Sequence, residues 1–257
     1  MPKASFIGLM LGLLAACATS PTGRAQLTLI PDAQINAMGT ASFDQIQQQT
    51  PKETDPAVVG YVQCVARAIT EVVGGEWDVV VFKDPAVNAF ALPGSHIGVY
   101  TGLLGVAQTQ DQLAAVLGHE VGHVLARHGN ERVSQQVATE QVLGFIAAST
   151  GVQGRDPRLL GLLGLGAQVG VLLPFSRLQE SEADRIGLKL MAKAGFDPAQ
   201  AVALWRNMAE NGGAGPPQFL STHPSHDTRI KDLQKWQGEA RPHFEAARKA
   251  GKQPRCQ

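Results

Sequence analysis

The segment AAVLGHEVGHVLARHG, residues 114–129, constrains the fold of this chain more than any other feature of the sequence. Thr109 and Gln112 fit a helix capping box just before it, and apolar residues flank its two central histidines. His119 and His123 are four residues apart, so a helix projects both imidazoles from one face toward the core. Unpaired polar groups are costly in a core, so this helix requires a ligand or a partner for both rings.

The four-residue spacing of His119 and His123 is also the spacing of a zinc site. Two imidazoles one helical turn apart can bind one Zn²⁺ at ordinary zinc–nitrogen distances. Glu120, next to the first histidine, can reach a water molecule at the open position of the metal and act on it as a general base. The alternative is a helix with two solvent-facing histidines.

Gly129 stands where the metzincin pattern has its third histidine, which excludes that class, and His128 lies too far round the helix to replace it.

A third ligand is offered by the segment QESEADRIGLKLMAKAGFDP. Glu180 and Asp184 lie four residues apart, on one face of a second predicted helix. Glu180 can complete a His-His-Glu ligand set with one open position, and Asp184 can orient a ligating histidine through its other ring N–H. The alternative is a charged, solvated helix face, and that is the environment expected for the neighbouring Glu182.

The N-terminus has the features of an export signal. Lys3 precedes an apolar run at residues 6–16 that is too short to span a bilayer as a mature helix. The run ends in Leu-Ala-Ala-Cys17, which resembles a bacterial lipobox, and the resemblance implies cleavage before Cys17 and lipidation of its thiol. Ala18, rather than an aspartate, favours the periplasmic side of the outer membrane. The alternative is an ordinary signal peptide with an incidental cysteine.

The sequence predicts an α+β fold, mainly helical, with a small β-sheet before the motif helix. Residues 1–16 are the predicted signal peptide, 17–54 a lipidated tether with a poorly defined lead-in, 55–240 the folded domain and 241–257 a C-terminal tail. The 22 Lys and Arg residues balance 22 Asp and Glu residues, so there is no electrostatic case for a nucleic-acid partner.

Two features of the sequence admit alternatives. Cys64 and Cys256 could form a disulfide in an exported protein, or Cys64 could be a buried thiol on an apolar helix. The apolar, Gly-rich segment 142–173 is predicted to form a helical hairpin packed on the core, and the alternative is a cap over the site or a membrane-facing element.

The motif HEVGH at residues 119–123, followed by ESEAD at residues 180–184, resembles the gluzincin family of zinc metallopeptidases that includes HtpX, OMA1, BepA, LoiP and the CAAX prenyl protease. VNAFALPGSHIGVYTGLL resembles the strand pair before the motif helix of this family, and STHPSHDTRI resembles its C-terminal His-Pro and Arg element. Multi-span members carry transmembrane helices and none is predicted here, so the chain is closer to the lipoprotein branch.

The resemblance implies one Zn²⁺ per chain, bound by His119, His123 and Glu180, with Glu120 as the general base and Asp184 behind a histidine ligand. It implies an endopeptidase, anchored to the membrane by its lipid, that hydrolyses peptide bonds in misfolded or damaged envelope proteins. The alternative function is a latent, chaperone-like assembly factor for outer-membrane proteins with little proteolytic activity.

The resemblance also gives roles to residues near the C-terminus. His223 is implied either as an extra zinc ligand that holds the enzyme inactive or as a donor to the oxyanion, and the alternative is a structural loop histidine. His226 is a weaker candidate for the same roles. Arg229 could pair with Asp184, help to bind substrate, or form an ordinary surface ion pair.

A short segment before the motif helix is a candidate substrate site. Asn88, Ala89 and Phe90 could belong to an edge strand that binds an extended substrate by β-augmentation. The alternative is an internal strand of the sheet.

Overall fold

The structure is a computed structural model that describes residues 17–150, 175–210, 218–223 and 228–256. In chain order, its strands and helices are β1 (Cys17–Thr19), β2 (Ala25–Leu27), α1 (Asp32–Gln49), α2 (Pro56–Val73), β3 (Asp78–Phe82), β4 (Ala89–Leu92), β5 (His96–Tyr100), a 3₁₀ turn (Thr101–Gly105), α3 (Gln110–Leu125), α4 (His128–Thr150), α5 (Arg177–Ala194), α6 (Gln200–Glu210), α7 (Gln218–Thr222) and α8 (Arg229–Lys249). The predicted signal peptide, most of the Gly-rich segment and His226 lie outside the described residues. The predicted α+β class is confirmed.

The sheet before the motif helix has three strands in the order β3–β5–β4. β5 is central, parallel to β3 and antiparallel to β4. Among the described residues β4 pairs only with β5, so it is an edge strand. The turn between β4 and β5 follows Pro93 and has Gly94 at φ +92°, a conformation that glycine adopts without steric cost.

The N-terminal residues form more structure than the sequence indicates. β1 and β2 pair as an antiparallel hairpin, and α1 packs the fully buried Phe43 against Phe82 of β3. The expectation of poorly defined structure before the domain is therefore wrong for these elements. The helical pattern of α1 is weak because the buried positions on this helix include Gly39 and Ser42, which carry no apolar signal.

Local signals define both ends of the helix α2. The Asp55 side chain accepts a hydrogen bond from the N–H of Ala57 at 2.9 Å, and Gly74, at φ +82°, follows the last residue. The fully buried residues of its apolar face are Val62, Val65, Ala66 and Ile69. By length and composition α2 could also cross a membrane, but this buried face makes it a core helix here.

The helix α3 carries the motif through the centre of the core, where it contacts α2, α5, α6 and β4. Thr109 accepts a hydrogen bond from the N–H of Gln112 at 3.2 Å, whereas the Gln112 side chain accepts from Gln108, so the predicted capping box is only half formed. Arg127, at φ +55°, turns the chain directly after α3, and α4 begins at His128.

Glycines allow α3 and α5 to cross at short distance. A Cβ atom on Gly187 would lie 2.6 Å from the backbone nitrogen of His119, and one on Gly122 would lie 2.9 Å from the carbonyl oxygen of Ala183. A larger residue at either position would force the helices apart. The crossing brings the first turns of α5 against the histidines of α3.

The C-terminus is fastened to the core by a disulfide between Cys64 of α2 and Cys256. Of the two possibilities for Cys64, a disulfide or a buried free thiol, the structure has the disulfide. α8 runs without interruption from Arg229 to Lys249, so the predicted tail at residues 241–257 begins inside this helix.

Candidate active site

Four side chains with metal-binding atoms converge between α3, α5 and the end of α7. α3 provides His119 and His123, the first turn of α5 provides Glu180, and the residue after α7 provides His223. Each is at most 4% exposed, and one ligand atom from each lies within 4.8 Å of the others. The donors that the sequence predicts are therefore brought together.

The spacing of the donors tests whether a zinc ion fits. The Nε2 atoms of His119 and His123 lie 3.0 Å apart, and the carboxylate oxygens of Glu180 lie 3.5 Å and 3.4 Å from them. In a tetrahedral site with zinc–nitrogen distances of about 2.0–2.1 Å, ligand atoms are about 3.4 Å from one another. The donor set fits zinc in ligand type and in spacing.

His223 lies inside the site rather than in a remote loop. Its Nδ1 atom is 3.0 Å from Glu180 Oε1 and 3.3 Å from His119 Nε2, and its Nε2 atom is 3.5 Å from Glu120 Oε1. The ring stacks on Phe219 of α7 with a centroid separation of 4.4 Å. His223 is placed to act either as a fourth ligand or as a hydrogen-bond donor next to Glu120.

The carboxylate of Glu120 points into the site. It is 2% exposed and accepts a hydrogen bond from the backbone N–H of Ala91 in β4. Its Oε1 atom has no hydrogen-bond partner among the described residues. Burial raises the pKa of Glu120, and the nearby histidines offset this only in part. An orphaned, buried carboxylate oxygen beside a metal-type donor set is suited to a water molecule as its partner.

Asp184 and Arg229 support the site from behind. His119 Nδ1 lies 2.8 Å from Asp184 Oδ1, as the sequence predicts for a residue that orients a ligand. Arg229, which is 1% exposed, donates to Asp184 at 2.7 Å and to Glu180 at 3.0 Å. Of the alternatives for Arg229, pairing with Asp184 is the one observed, and a surface ion pair is excluded.

The electrostatic environment separates the two motif histidines. Burial disfavours a charged His119, but Glu180 and Asp184 outweigh it and raise the pKa of His119 to about 9. Burial lowers the pKa of His123 well below its usual value. Burial also opposes ionisation of Glu180, but the surrounding histidines outweigh it and lower the pKa of this carboxyl. An ionised carboxylate beside imidazoles is the protonation state that favours metal binding.

A second buried cluster lies behind His123. His123 Nδ1 is 2.9 Å from His128 Nδ1, and His128 Nε2 is 3.1 Å from Glu182 Oε2. Glu182 also pairs with Arg24 of the β1–β2 hairpin at 2.8 Å. The expected solvent exposure of Glu182 is therefore wrong, because the hairpin covers it and leaves it 6% exposed. Arg24 gives no signal in the sequence, because it lies in a segment without periodicity. His128, which the sequence excludes as the third zinc ligand, is instead swung back toward His123 by the turn at Arg127.

The edge strand β4 borders the donor cluster; it contains Ala89 and Phe90 of the predicted substrate segment, and Asn88 directly precedes it. The N–H of Tyr100 donates to Asn88, so the alternation of an antiparallel pair directs the backbone groups of Ala89 and Ala91 away from β5. A cavity of about 220 Å³ opens at the C-terminal end of β4. The cavity lining includes Leu92, His123, Arg132 and Phe175.

A buried His-His-Glu donor set with a carboxylate base and an adjacent edge strand defines the site of a metallopeptidase. The sequence signature of Peptidase family M48 matches residues 55–237, and the chain belongs to this family.

Individual proteins of similar sequence agree with this assignment. The chain is 41% identical to the mitochondrial metalloendopeptidase OMA1 of Schizosaccharomyces pombe over 185 residues, which cover 70% of this chain and 53% of the relative. It is 27% identical to the beta-barrel assembly-enhancing protease of Yersinia pestis over 238 residues, covering 84% of this chain and 48% of the relative. The human OMA1 metalloendopeptidase is 30% identical over 231 residues, which cover 82% of this chain and 44% of the relative. The chain spans about half the length of these relatives.

Proposed function

We propose that this chain is a zinc-dependent endopeptidase, anchored through Cys17 to the periplasmic face of the outer membrane, that hydrolyses peptide bonds in misfolded or damaged envelope proteins. The observation that carries the proposal is the convergence of His119, His123 and Glu180 beside the orphaned Oε1 atom of Glu120. The proposed ion is one Zn²⁺ per chain.

The chemistry divides between the ion and the protein. When bound by the three donors, zinc supplies a Lewis acid that acidifies water and polarises a carbonyl group. Glu120 accepts the proton of the attacking water at Oε1 and later donates it to the leaving amine. The Ala91 N–H fixes the carboxylate in place during both transfers. Burial raises the pKa of Glu120 above its usual value, which makes this carboxylate a stronger proton acceptor.

The edge strand supports a preference for unfolded substrates. An extended peptide that pairs antiparallel with β4 is held through backbone groups, with little demand on its side chains. Its residues N-terminal to the scissile bond then lie toward the C-terminal end of β4, beside the cavity that includes Leu92 and Phe175. Misfolded proteins expose such extended segments, whereas folded proteins do not.

The first test compares the soluble form that begins after Cys17 with its Glu120→Gln variant, using casein as an unfolded substrate and measuring zinc content in both. We expect zinc in both proteins and cleavage in the parent alone. Absence of zinc from both would contradict the proposed metal centre. Zinc in both with cleavage in neither would contradict an active endopeptidase.

The membrane anchor has a separate test. The lipobox-like sequence at Cys17 and the similarity to a bacterial assembly-enhancing protease support an envelope location. Cells that express the full chain or its Cys17→Ser variant are labelled with radioactive palmitate and then fractionated. We expect label and outer-membrane fractionation for the parent alone, and an unlabelled parent contradicts the anchor.

The position of His223 favours one alternative, a latent assembly factor with little proteolysis. Its Nδ1 atom lies close enough to Glu180 and His119 to complete a fourth ligand position, and four protein ligands close a zinc site to substrate. If His223 acts in this way, His223→Ala raises the rate of casein cleavage. An unchanged or lower rate contradicts the latch and leaves a role in substrate binding.

A further inference from the structure

We propose that the N-terminal hairpin completes the metal centre, because Arg24 and Glu182 position the ligand His123 through His128. This role rests on the proposed zinc-dependent function and names residues that act on it from outside the ligand set. Arg24, Glu182 and His128 are positioning residues, since each acts on the metal centre through another side chain.

The first contact of this path joins two imidazoles. His123 Nδ1 lies 2.9 Å from His128 Nδ1, and His128 is fully buried. When His123 presents Nε2 to a metal, its neutral ring carries its proton on Nδ1. His123 therefore donates this hydrogen bond and His128 accepts it, which leaves the proton of His128 on Nε2.

The second contact holds His128 in the accepting form. His128 Nε2 lies 3.1 Å from Glu182 Oε2, so the Nε2–H group donates to a carboxylate. In the other tautomer, the N–H groups of His128 and His123 would face each other and a buried hydrogen bond would be lost. Glu182 thus selects the tautomer of His128 that orients His123.

The third contact brings in the hairpin. Arg24 donates through Nε to Glu182 at 2.8 Å and through its two Nη groups to Glu131 at 2.5 Å and 2.7 Å. The hydroxyls of Ser20 and Thr22, in the turn of the hairpin, also donate to Glu182. Without Arg24, two buried carboxylates would remain without their shared cation, and the Oε2 atom of Glu182 that faces His128 would lose its charged partner.

The two motif histidines are therefore supported differently. His119 reaches Asp184 directly, within the residues 55–237 that match the family signature. His123 reaches its carboxylate through another imidazole, and that carboxylate is held by Arg24, which lies outside the matched residues. Outer hydrogen bonds to metal-ligating histidines typically change metal affinity about 10–100-fold. The hairpin is thus expected to set the zinc affinity of a domain that begins after it.

Zinc affinity tests this path without any cleavage assay. The dissociation constant of Zn²⁺ is measured by chelator competition for the purified full chain, His128→Ala, Arg24→Gln and the double variant. Each single variant is expected to bind zinc about 10–100-fold more weakly. The double variant is expected to match His128→Ala, because both substitutions interrupt one path. Arg185→Gln is the matched control, since it removes the same charge from the half-exposed ion pair with Glu239.

The proposal is overturned if the folded variants bind zinc as tightly as the parent, or if the losses in the double variant add. If a variant fails to fold, a second measurement on the parent protein still tests the proposal. In the zinc-loaded, ¹⁵N-labelled protein, NMR of the ring nitrogens is expected to show His128 protonated at Nε2 and unprotonated at Nδ1. The opposite tautomer overturns the path. If the tautomer and the zinc affinities are as expected but the protein cleaves no casein, the proposed endopeptidase function is wrong and the positioning path still holds.

Discussion

Glu120 illustrates how one backbone group can orient a proposed catalytic carboxylate. The helix α3 alone fixes its Cα position, but the rotamer depends on the N–H of Ala91, which reaches across from β4. Because that N–H points away from β5, the edge strand serves the site on its outer side. The same strand therefore orients the base and borders the space where an extended substrate would pair.

Replacing Ala91 with proline should separate these roles from metal binding. Ala91→Pro removes the N–H that holds Glu120, in an edge strand where proline is tolerated. We expect unchanged zinc content and a fall in kcat on the order of 10–100-fold, which is part of the roughly 10²–10⁴-fold that a general base contributes. Ala91→Gly keeps the N–H and serves as the control. Equal activity of the proline and glycine variants would show that this hydrogen bond is unimportant.

The raised pKa of His119 predicts how zinc binding depends on pH. In the metal-free protein His119 holds a proton up to about pH 9, because Glu180 and Asp184 outweigh the effect of burial. Zinc must displace that proton, so its apparent affinity should rise with pH and level off above this value. Chelator competition between about pH 6.5 and about pH 10.5 should show the affinity rising by up to about tenfold per pH unit below the pKa of His119. A flat profile would mean that His119 is already neutral.

At the scale of the elements, the site depends on how closely α3 and α5 cross. The ligands come from different helices, and their separation is set by backbone contacts at Gly118, Gly122 and Gly187. The hairpin and Arg229 then fix the carboxylates of α5 from opposite ends of the chain. A change at the crossing should therefore affect metal binding although no ligand is altered.

Gly187→Ala tests the crossing. Its Cβ would lie 2.6 Å from the His119 nitrogen, so the helices must separate and carry Glu180 and Asp184 away from the histidines. We expect weaker zinc binding and a loss of roughly 1–3 kcal/mol in the free energy of unfolding. Gly238→Ala, in α8, is the control, because its Cβ meets nothing within 4 Å and the substitution favours a helix by about 1 kcal/mol. Zinc affinity equal to that of the parent would show that α5 can shift without cost.

At the scale of the whole molecule, the first and last segments that the structure describes both pack over the core helices. The N-terminal hairpin covers the cluster behind His123, and the C-terminal segment covers the start of α3. There Gln110 donates to the carbonyl of Pro254 and accepts from the N–H of Cys256, both at 2.9 Å. The disulfide to Cys64 holds this segment in place.

Removing the disulfide should lower stability without changing the site. The combined Cys64→Ser and Cys256→Ser substitutions free a C-terminal segment that is held at Cys64 and at Gln110, which lies more than two helical turns before His119 in α3. We expect a loss of about 2–4 kcal/mol in the free energy of unfolding by urea. The oxidised parent should lose a similar amount on reduction, and zinc content should stay the same in all forms. Equal stability of the oxidised and reduced parent would contradict a structural role for this bond.

The sequence by itself determined those features of this protein that depend on residues close together in the chain. Helical spacing places His119 beside His123 and Glu180 beside Asp184, because side chains four residues apart share a helix face whatever surrounds the helix. The strand pair around Pro93-Gly94 and the ends of α2 follow from equally local rules.

Only the tertiary structure decided which distant groups meet. The contact of His223 with the ligands, the disulfide of Cys64 and the burial of Glu182 under Arg24 join residues that are far apart in the chain. No periodicity encodes such contacts, because they depend on how whole elements pack after each has formed. The close crossing at Gly187 is of the same kind, since a glycine within a helix becomes informative only when its neighbour in space is known.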